Sequence, residues 1–264
     1  QTNVIRSNRD AWFMAWWKQG KYLLEASSSF SVVEIAMRKW HGFSMQQGFG
    51  QVCKTLIHHK DYARELIVDD TTDQLLSSAD DGSICLWNLN SGTVIRQFLG
   101  HTGYVLSMCK INERFFASTG NDLSICVWDI FTGELVHQHK AAHSQWVWTI
   151  LYSTTERVLI TSSYDGFVKT WNLRYDERGK GCKIEKKYEI KSPVGTSCFK
   201  MTFLDRFAQQ FQDEQCAQDC SGGQVVLVAD GDNGHMFSID IKRGIWMHQY
   251  INAHKKQMSM LAPM

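Results

Sequence analysis

Proline is almost missing from this chain: two residues in 264, Pro193 and Pro263. No proline-rich linker or low-complexity stretch divides it, which argues for one continuous structural region. An excess of one charge is also missing, since 28 Lys and Arg against 27 Asp and Glu leave a net +1. A general attraction to nucleic acid or to anionic lipid is therefore not expected. No run of about 18 apolar residues occurs, so no helical membrane insertion is expected, and no cleavable signal pattern is visible. There is no Gly-x-Ser-x-Gly elbow, no glycine-rich phosphate loop and no His-Glu-x-x-His, which removes the motif-borne hydrolase, nucleotide and zinc chemistries. Among eight cysteines only Cys216 and Cys220 form a close Cys-x3-Cys pair. No second Cys or His pair at zinc spacing accompanies it, so neither a metal nor another cofactor is expected.

What is present repeats. His59, His101 and His143 stand 42 residues apart, and each is followed 27 or 28 residues later by Trp87, Trp128 or Trp171. Each tryptophan closes an Asp-x5-Trp run that starts at Asp81, Asp122 or Asp165. A period of this length belongs to repeat architectures rather than to a single globular core. Inside one unit, apolar alternation is broken by polar turns, which predicts short antiparallel strands. Asp80-Asp81-Gly82, Asn121-Asp122 and Asp165-Gly166 fall where hairpin turns require residues tolerant of positive φ.

The segments LLSSADDGSICLWNLNSG (75–92), FFASTGNDLSICVWDIFTG (115–133) and VLITSSYDGFVKTWNL (158–173) resemble WD40 repeats, each entered through His-x-x-Tyr or His-x-x-Trp. The resemblance implies an all-β protein, a β-propeller of four-stranded antiparallel blades around a central channel. Five blades are readable, at about 10–58, 59–100, 101–142, 143–194 and 195–253, with 254–264 starting a further one. The expectation is one propeller region within a longer chain, of about seven blades when complete. In the first blade Ile35 falls at the tryptophan position and Ser29 at the turn aspartate. In the fifth, Ile239-Asp240 stands for Trp-Asp, with Asn233 at the turn.

The histidine, a strand hydroxyl, the turn aspartate and the indole N–H of each unit are expected to form a hydrogen-bonded chain. His59, Asp81, Trp87, His101, Asp122, Trp128, His143, Asp165 and Trp171 are then structural, because a buried indole N–H needs an acceptor. The third unit offers hydroxyls at both Thr161 and Ser163, whereas the others have Ser77 with Ala79 and Ser118 with Gly120. The first two chains are therefore expected to be incomplete. Cys85 and Cys126 sit two residues before a tryptophan, on its face of the strand, as small core residues.

The third residue after each histidine is aromatic: Tyr62, Tyr104 and Trp146. In a blade the entry loop and the turn between the second and third strands share one rim, so Asp80, Asn121 and Tyr164 should lie beside these aromatics. A mixed aromatic and polar ring of this kind is what protein interfaces use as hot spots. Two insertions add to this. Arg174 to Lys187 is rich in both charges and reads as a solvated loop. Leu204 to Gly222 follows Phe203 and carries Phe207 and Phe211 four apart, an apolar helical stripe that either caps the propeller or docks a partner.

The expected function is a non-catalytic protein–protein interaction scaffold in a stable multiprotein complex, cytoplasmic or nuclear, with no small-molecule substrate. One alternative is a ubiquitin-ligase substrate receptor gripping a short peptide. Another, from a different class, is a hydrolase using channel carboxylates, for which Asp61, Asp80 and Asp230 are the candidates.

Overall fold

The structure is a computed structural model that describes residues 11–18, 22–29, 32–39, 52–176, 181–193, 195–204, 224–230 and 234–250. These residues contain strands and turns and no helix. The first sheet is β1 (Ala11–Trp17), β2 (Tyr22–Ser29), β3 (Val32–Lys39) and β4 (Val52–Leu56). The second is β5 (Ala63–Asp69), β6 (Gln74–Ala79), β7 (Ser83–Asn88) and β8 (Thr93–Leu99). The third is β9 (Val105–Lys110), β10 (Phe115–Gly120), β11 (Ile125–Asp129) and β12 (Leu135–His139), and the fourth β13 (Val147–Ser153), β14 (Val158–Ser163), β15 (Phe167–Tyr175) and β16 (Cys182–Lys191). The fifth is β17 (Cys198–Leu204), β18 (Val225–Asp230), β19 (Met236–Asp240) and β20 (Ile245–Tyr250). In every sheet the four strands pair antiparallel in chain order. The first strands of consecutive sheets pack against one another from β1 through β17. Among the described residues β17 and β1 do not pack in this way, so the ring is not closed.

Apolar cores lie between sheets rather than inside them. Trp87 packs toward Leu24 and Leu56 of the first sheet, and Trp128 toward Phe98 and Leu86 of the second. Trp171 packs toward Phe115 and Val127 of the third, and Ile239 toward Val158 and Ile190 of the fourth. A strand sandwiched between two neighbours has no wet face. This is why β10, β11 and β14 are buried along their whole length, while the outer strand β8 alternates exposed and half-buried residues, with Phe98 alone buried.

Two irregularities recur in every sheet. The pairing of third and fourth strands slips at Arg38, Trp87, Trp128, Trp171 and Ile239. Ile239 thus occupies the tryptophan register. In the first sheet that register belongs to Arg38, three residues beyond the expected Ile35, which pairs with Ala26 instead. The turn residue Asn233 lies outside the described residues. The second irregularity is a bulge near the start of each first strand, leaving Trp12, Arg64, Leu106, Trp148 and Phe199 without an opposite residue.

The charged segment from Arg174 is not a loop. β15 and β16 pair from Phe167↔Lys191 out to Tyr175↔Cys182, so most of it is an extended hairpin. Its lysines and glutamates alternate outward on an edge strand, where charge discourages pairing with another chain. The stretch 205–222, with Phe207 and Phe211, and the pair Cys216 and Cys220 lie outside the described residues.

Candidate functional site

The site is the rim where entry loops and second-to-third-strand turns meet, and it is anchored by the histidine chains. Thr161 Oγ1 accepts from the Trp171 indole at 2.9 Å and lies 2.8 Å from His143 Nε2, while His143 Nδ1 is 2.9 Å from Asp165. Ser118 does the same for Trp128 (2.8 Å) and His101 (2.7 Å), with Asp122 at 2.8 Å from His101 Nδ1. Ser77 joins Trp87 (2.8 Å) and His59 (2.6 Å). The expectation that the first two chains are incomplete is therefore corrected. All three use the same strand hydroxyl, and Ser163 instead donates to Gln145 O. Only the first chain is rerouted: His59 Nδ1 is 3.6 Å from Asp81 and reaches it through Ser83 Oγ, 3.0 Å away.

The aspartates also accept the backbone N–H groups of Lys60, Thr102 and Ser144, which pins each entry loop to its turn. Burial opposes their charge, but these bonds outweigh it, holding Asp122 and Asp165 down at about 2 and Asp81 well below the usual carboxylate range. The histidines diverge. Burial works against charge on His101, yet the Asp122 hydrogen bond prevails and lifts it to about 9. At His143 burial wins, with the nearby Lys169 ammonium adding repulsion, and its pKa falls despite Asp165.

On this frame the structure brings the rim residues together as pairs. The carbonyl of Tyr62 accepts from Asp80 N at 2.9 Å, that of Tyr104 from Asn121 N at 3.1 Å, and that of Trp146 from Tyr164 N at 3.1 Å. Tyr62 (45 %), Tyr104 (38 %), Trp146 (39 %) and Tyr164 (37 %) are exposed. Asp80 departs from the expected rim ring: it is buried, and its carboxylate accepts from Arg64 Nε at 2.6 Å and from the second Arg64 nitrogen.

Arg64 is one of the bulge residues, a set that reading the repeats by strand alternation does not isolate. In two sheets the bulge side chain meets the turn residue of its own sheet. Arg64 meets Asp80 as an ion pair, and Trp148 meets Tyr164 edge-on at 5.4 Å between ring centroids. Phe199 of the fifth sheet packs tilted against Trp148 at 4.5 Å between centroids, and Trp146 lies 5.8 Å from Trp148 and 6.4 Å from Tyr104. Five rings from three consecutive sheets thus form one ridge. Only the pairing register reveals the bulge residues, since Arg64, Leu106, Trp148 and Phe199 share no residue type.

Inside the ring, polar side chains staple consecutive first strands. Glu65 accepts from Met108 N, Ser107 Oγ accepts from Ile150 N at 3.2 Å, and Thr149 Oγ1 donates to Phe199 O at 3.1 Å. Burial raises the Glu65 pKa and lowers that of Lys200, and each opposes the other's shift across the ring. The candidate channel carboxylates do not assemble. Asp80 is held by Arg64, Asp61 accepts from the N–H of its neighbour Tyr62, and Asp230 is buried at the end of β18. Among the described residues no three His, Cys, Asp or Glu are placed to hold a metal ion.

Five four-stranded sheets, each packed on the next through its first strand, define the class: an all-β protein built of propeller blades. Residues 50–88, 92–129 and 133–172 match the family model described as WD domain, G-beta repeat. The chain carries three consecutive WD40 repeats, a fold that generally serves as a non-catalytic scaffold for protein interaction. Each match begins just before or within the outer strand of one sheet and ends in the third strand of the next, so every repeat spans two blades. No curated protein matches the chain.

Proposed function

We propose that this protein is an interaction scaffold in a multiprotein complex and that it holds a partner through the rim built by Tyr62, Tyr104, Trp146, Asn121 and Tyr164. The observation that carries this reading is the threefold recurrence of an aromatic residue at one repeat position. It is exposed each time, and its carbonyl is bonded to the neighbouring turn. An exposed aromatic on a rigid backbone offers large contact area at little entropic cost. Asp80 serves from below, by fixing Arg64 under the rim.

The test is copurification from gently lysed cells of the protein and of the Tyr104→Ala/Trp146→Ala double variant, followed by mass spectrometry. Both side chains stand on the surface, so the double variant should melt within a few degrees of the parent and lose a stoichiometric partner. Retention of every partner by a folded double variant overturns the rim assignment. A parent that elutes alone overturns the stable-complex reading.

A further inference from the structure

The fourth blade carries a feature that the second, third and fifth lack, at the end of its strands away from the rim. In those three sheets the pairing of third and fourth strands ends at the tryptophan register or one pair beyond it, at Asn88↔Thr93, Trp128↔Leu135 and Asp240↔Ile245. In the fourth it continues four pairs past Trp171, to Tyr175↔Cys182. At about 3.3 Å per residue, the extra pairs carry this hairpin about 10 Å beyond its neighbours.

Its charge is also distinct. β15, β16 and the adjoining residues Asp176 and 240–243 hold eight lysines and arginines against four acids, in a chain whose net charge is +1. The turn at 240–243 belongs to the same surface, because the following Gly244 lies so close to the Tyr188 ring that a Cβ on it would fall 2.9 Å away. Glu185 pairs with Arg174 at 3.3 Å, Glu189 with Lys186 at 2.7 Å and with Lys169 at 3.5 Å, and Asp240 with Arg243 at 3.6 Å. Among the described residues Lys183, Lys187, Lys191 and Lys242 have no acid within ion-pair distance. Lys183 stands directly opposite Arg174, where like charges repel. Lys187 is the unpaired residue of a bulge, with its ammonium over the Tyr188 ring at 5.1 Å.

We propose that this edge is a second docking surface, which takes an acidic, extended segment of a protein partner along β16 with its carboxylates set against Lys183, Lys187 and Lys242. The surface is separate from the rim, so a scaffold could hold one partner on each. The lysines that discourage pairing with another copy of the strand favour a segment of opposite charge. A peptide rather than a nucleic acid fits, because Glu185 and Glu189 interrupt the basic strip. A peptide can set neutral residues against them, whereas a nucleic-acid strand brings a phosphate at every nucleotide.

The experiment follows the fluorescence anisotropy of a labelled peptide of alternating glutamate and serine, of the same peptide with glutamine for glutamate, and of a labelled oligouridine RNA. The parent is compared with Lys183→Glu/Lys187→Glu and with Lys60→Glu/Lys140→Glu, which changes the net charge equally at exposed lysines elsewhere. Lys183→Glu replaces repulsion from Arg174 by attraction, so the first variant should melt within a few degrees of the parent. The glutamate peptide should bind saturably, more weakly as salt rises, and tighter than the other two probes. Exposed charge contacts are worth about two- to fivefold in affinity each, so reversing two should weaken binding at least about tenfold, against less than about threefold for the control variant.

Absence of binding by the glutamate peptide, equal binding of the glutamine peptide, tighter binding of the RNA, or equal losses in the two variants each overturn the proposal. Tyr104→Ala/Trp146→Ala should bind the glutamate peptide as the parent does. A loss in that variant would put the peptide on the rim and overturn the second surface.

Discussion

Removing one oxygen atom from the middle of the third sheet should cost as much as removing a methyl-rich side chain from a core. Ser118 is completely buried, and its Oγ accepts from Trp128 Nε1 at 2.8 Å while lying 2.7 Å from His101 Nε2. Ser118→Ala deletes both bonds without admitting water, since Trp128 is packed by Phe98 and Phe116. Each buried group left unpaired costs about 1–3 kcal/mol, so the sum for the two is about 2–6 kcal/mol. Urea unfolding followed by circular dichroism measures this, and the slope of free energy against urea should be unchanged if only stability is affected. Trp128→Phe supplies the internal control. With the indole donor already gone, Ser118→Ala in that background should cost less by about 1 kcal/mol or more, a coupling expected of groups in one network. A Ser118→Ala variant within about 0.5 kcal/mol of the parent, or strict additivity with Trp128→Phe, would refute the hydrogen-bonded chain as a source of blade stability.

Two further outcomes follow from the same electrostatics. His101 is lifted to about 9, so its contribution is fully present below the unfolded value near 6.5 and fades as pH rises through about 9. His143 is depressed, so the fold loses stability on its account as pH falls below about 6.5. Histidine ring NMR resonances should report titrations on opposite sides of that value, and a shared midpoint would contradict the difference drawn between the two sites. Arg64→Met should strand the buried Asp80 carboxylate and destabilise by about 1–3 kcal/mol, less than for a fully buried pair because the Arg64 side chain is 28 % exposed. Arg64→Met/Asp80→Leu should recover most of that loss in thermal unfolding, and a double variant no more stable than the single would show that the pair itself is needed.

The parts of the fold that were legible in the sequence are those where one residue type answers one physical need in each blade. An indole N–H, a histidine and a turn aspartate can satisfy one another only at fixed offsets, so His101, Asp122 and Trp128 announce their blade without a structure. Register in the first sheet was not legible, because Arg38 takes the tryptophan position and nothing in VVEIAMRK distinguishes it from Ile35. The hairpin after Trp171 was misread for a related reason: charged residues alternating on an outer edge have the composition of a loop, and only pairing reveals the strand. The bulges were hidden most completely. A bulge turns one side chain out of the alternation, and Arg64, Leu106, Trp148 and Phe199 share no residue type that would mark it.

That lack of a shared type is itself informative about where function can reside on a repeated frame. The histidine, hydroxyl, aspartate and tryptophan positions have all their hydrogen-bonding partners inside the blade, so changing one of them costs stability before it alters anything a partner touches. The bulge residue has no opposite residue, while the pairs on either side of it, Ala63↔Ala79 and Glu65↔Ser78 or Val147↔Ser163 and Thr149↔Ser162, keep the backbone in place. In the second and fourth sheets its side chain meets the turn residue beside it, and Trp148 also meets Phe199 of the next sheet. The same geometry therefore holds an ion pair at Arg64 and Asp80 and two aromatic rings at Trp148 and Tyr164. A frame that demands one solution at four positions leaves this facing pair free to differ from blade to blade. A partner reading the rim meets those differences, whereas the repeated network beneath it is largely out of reach.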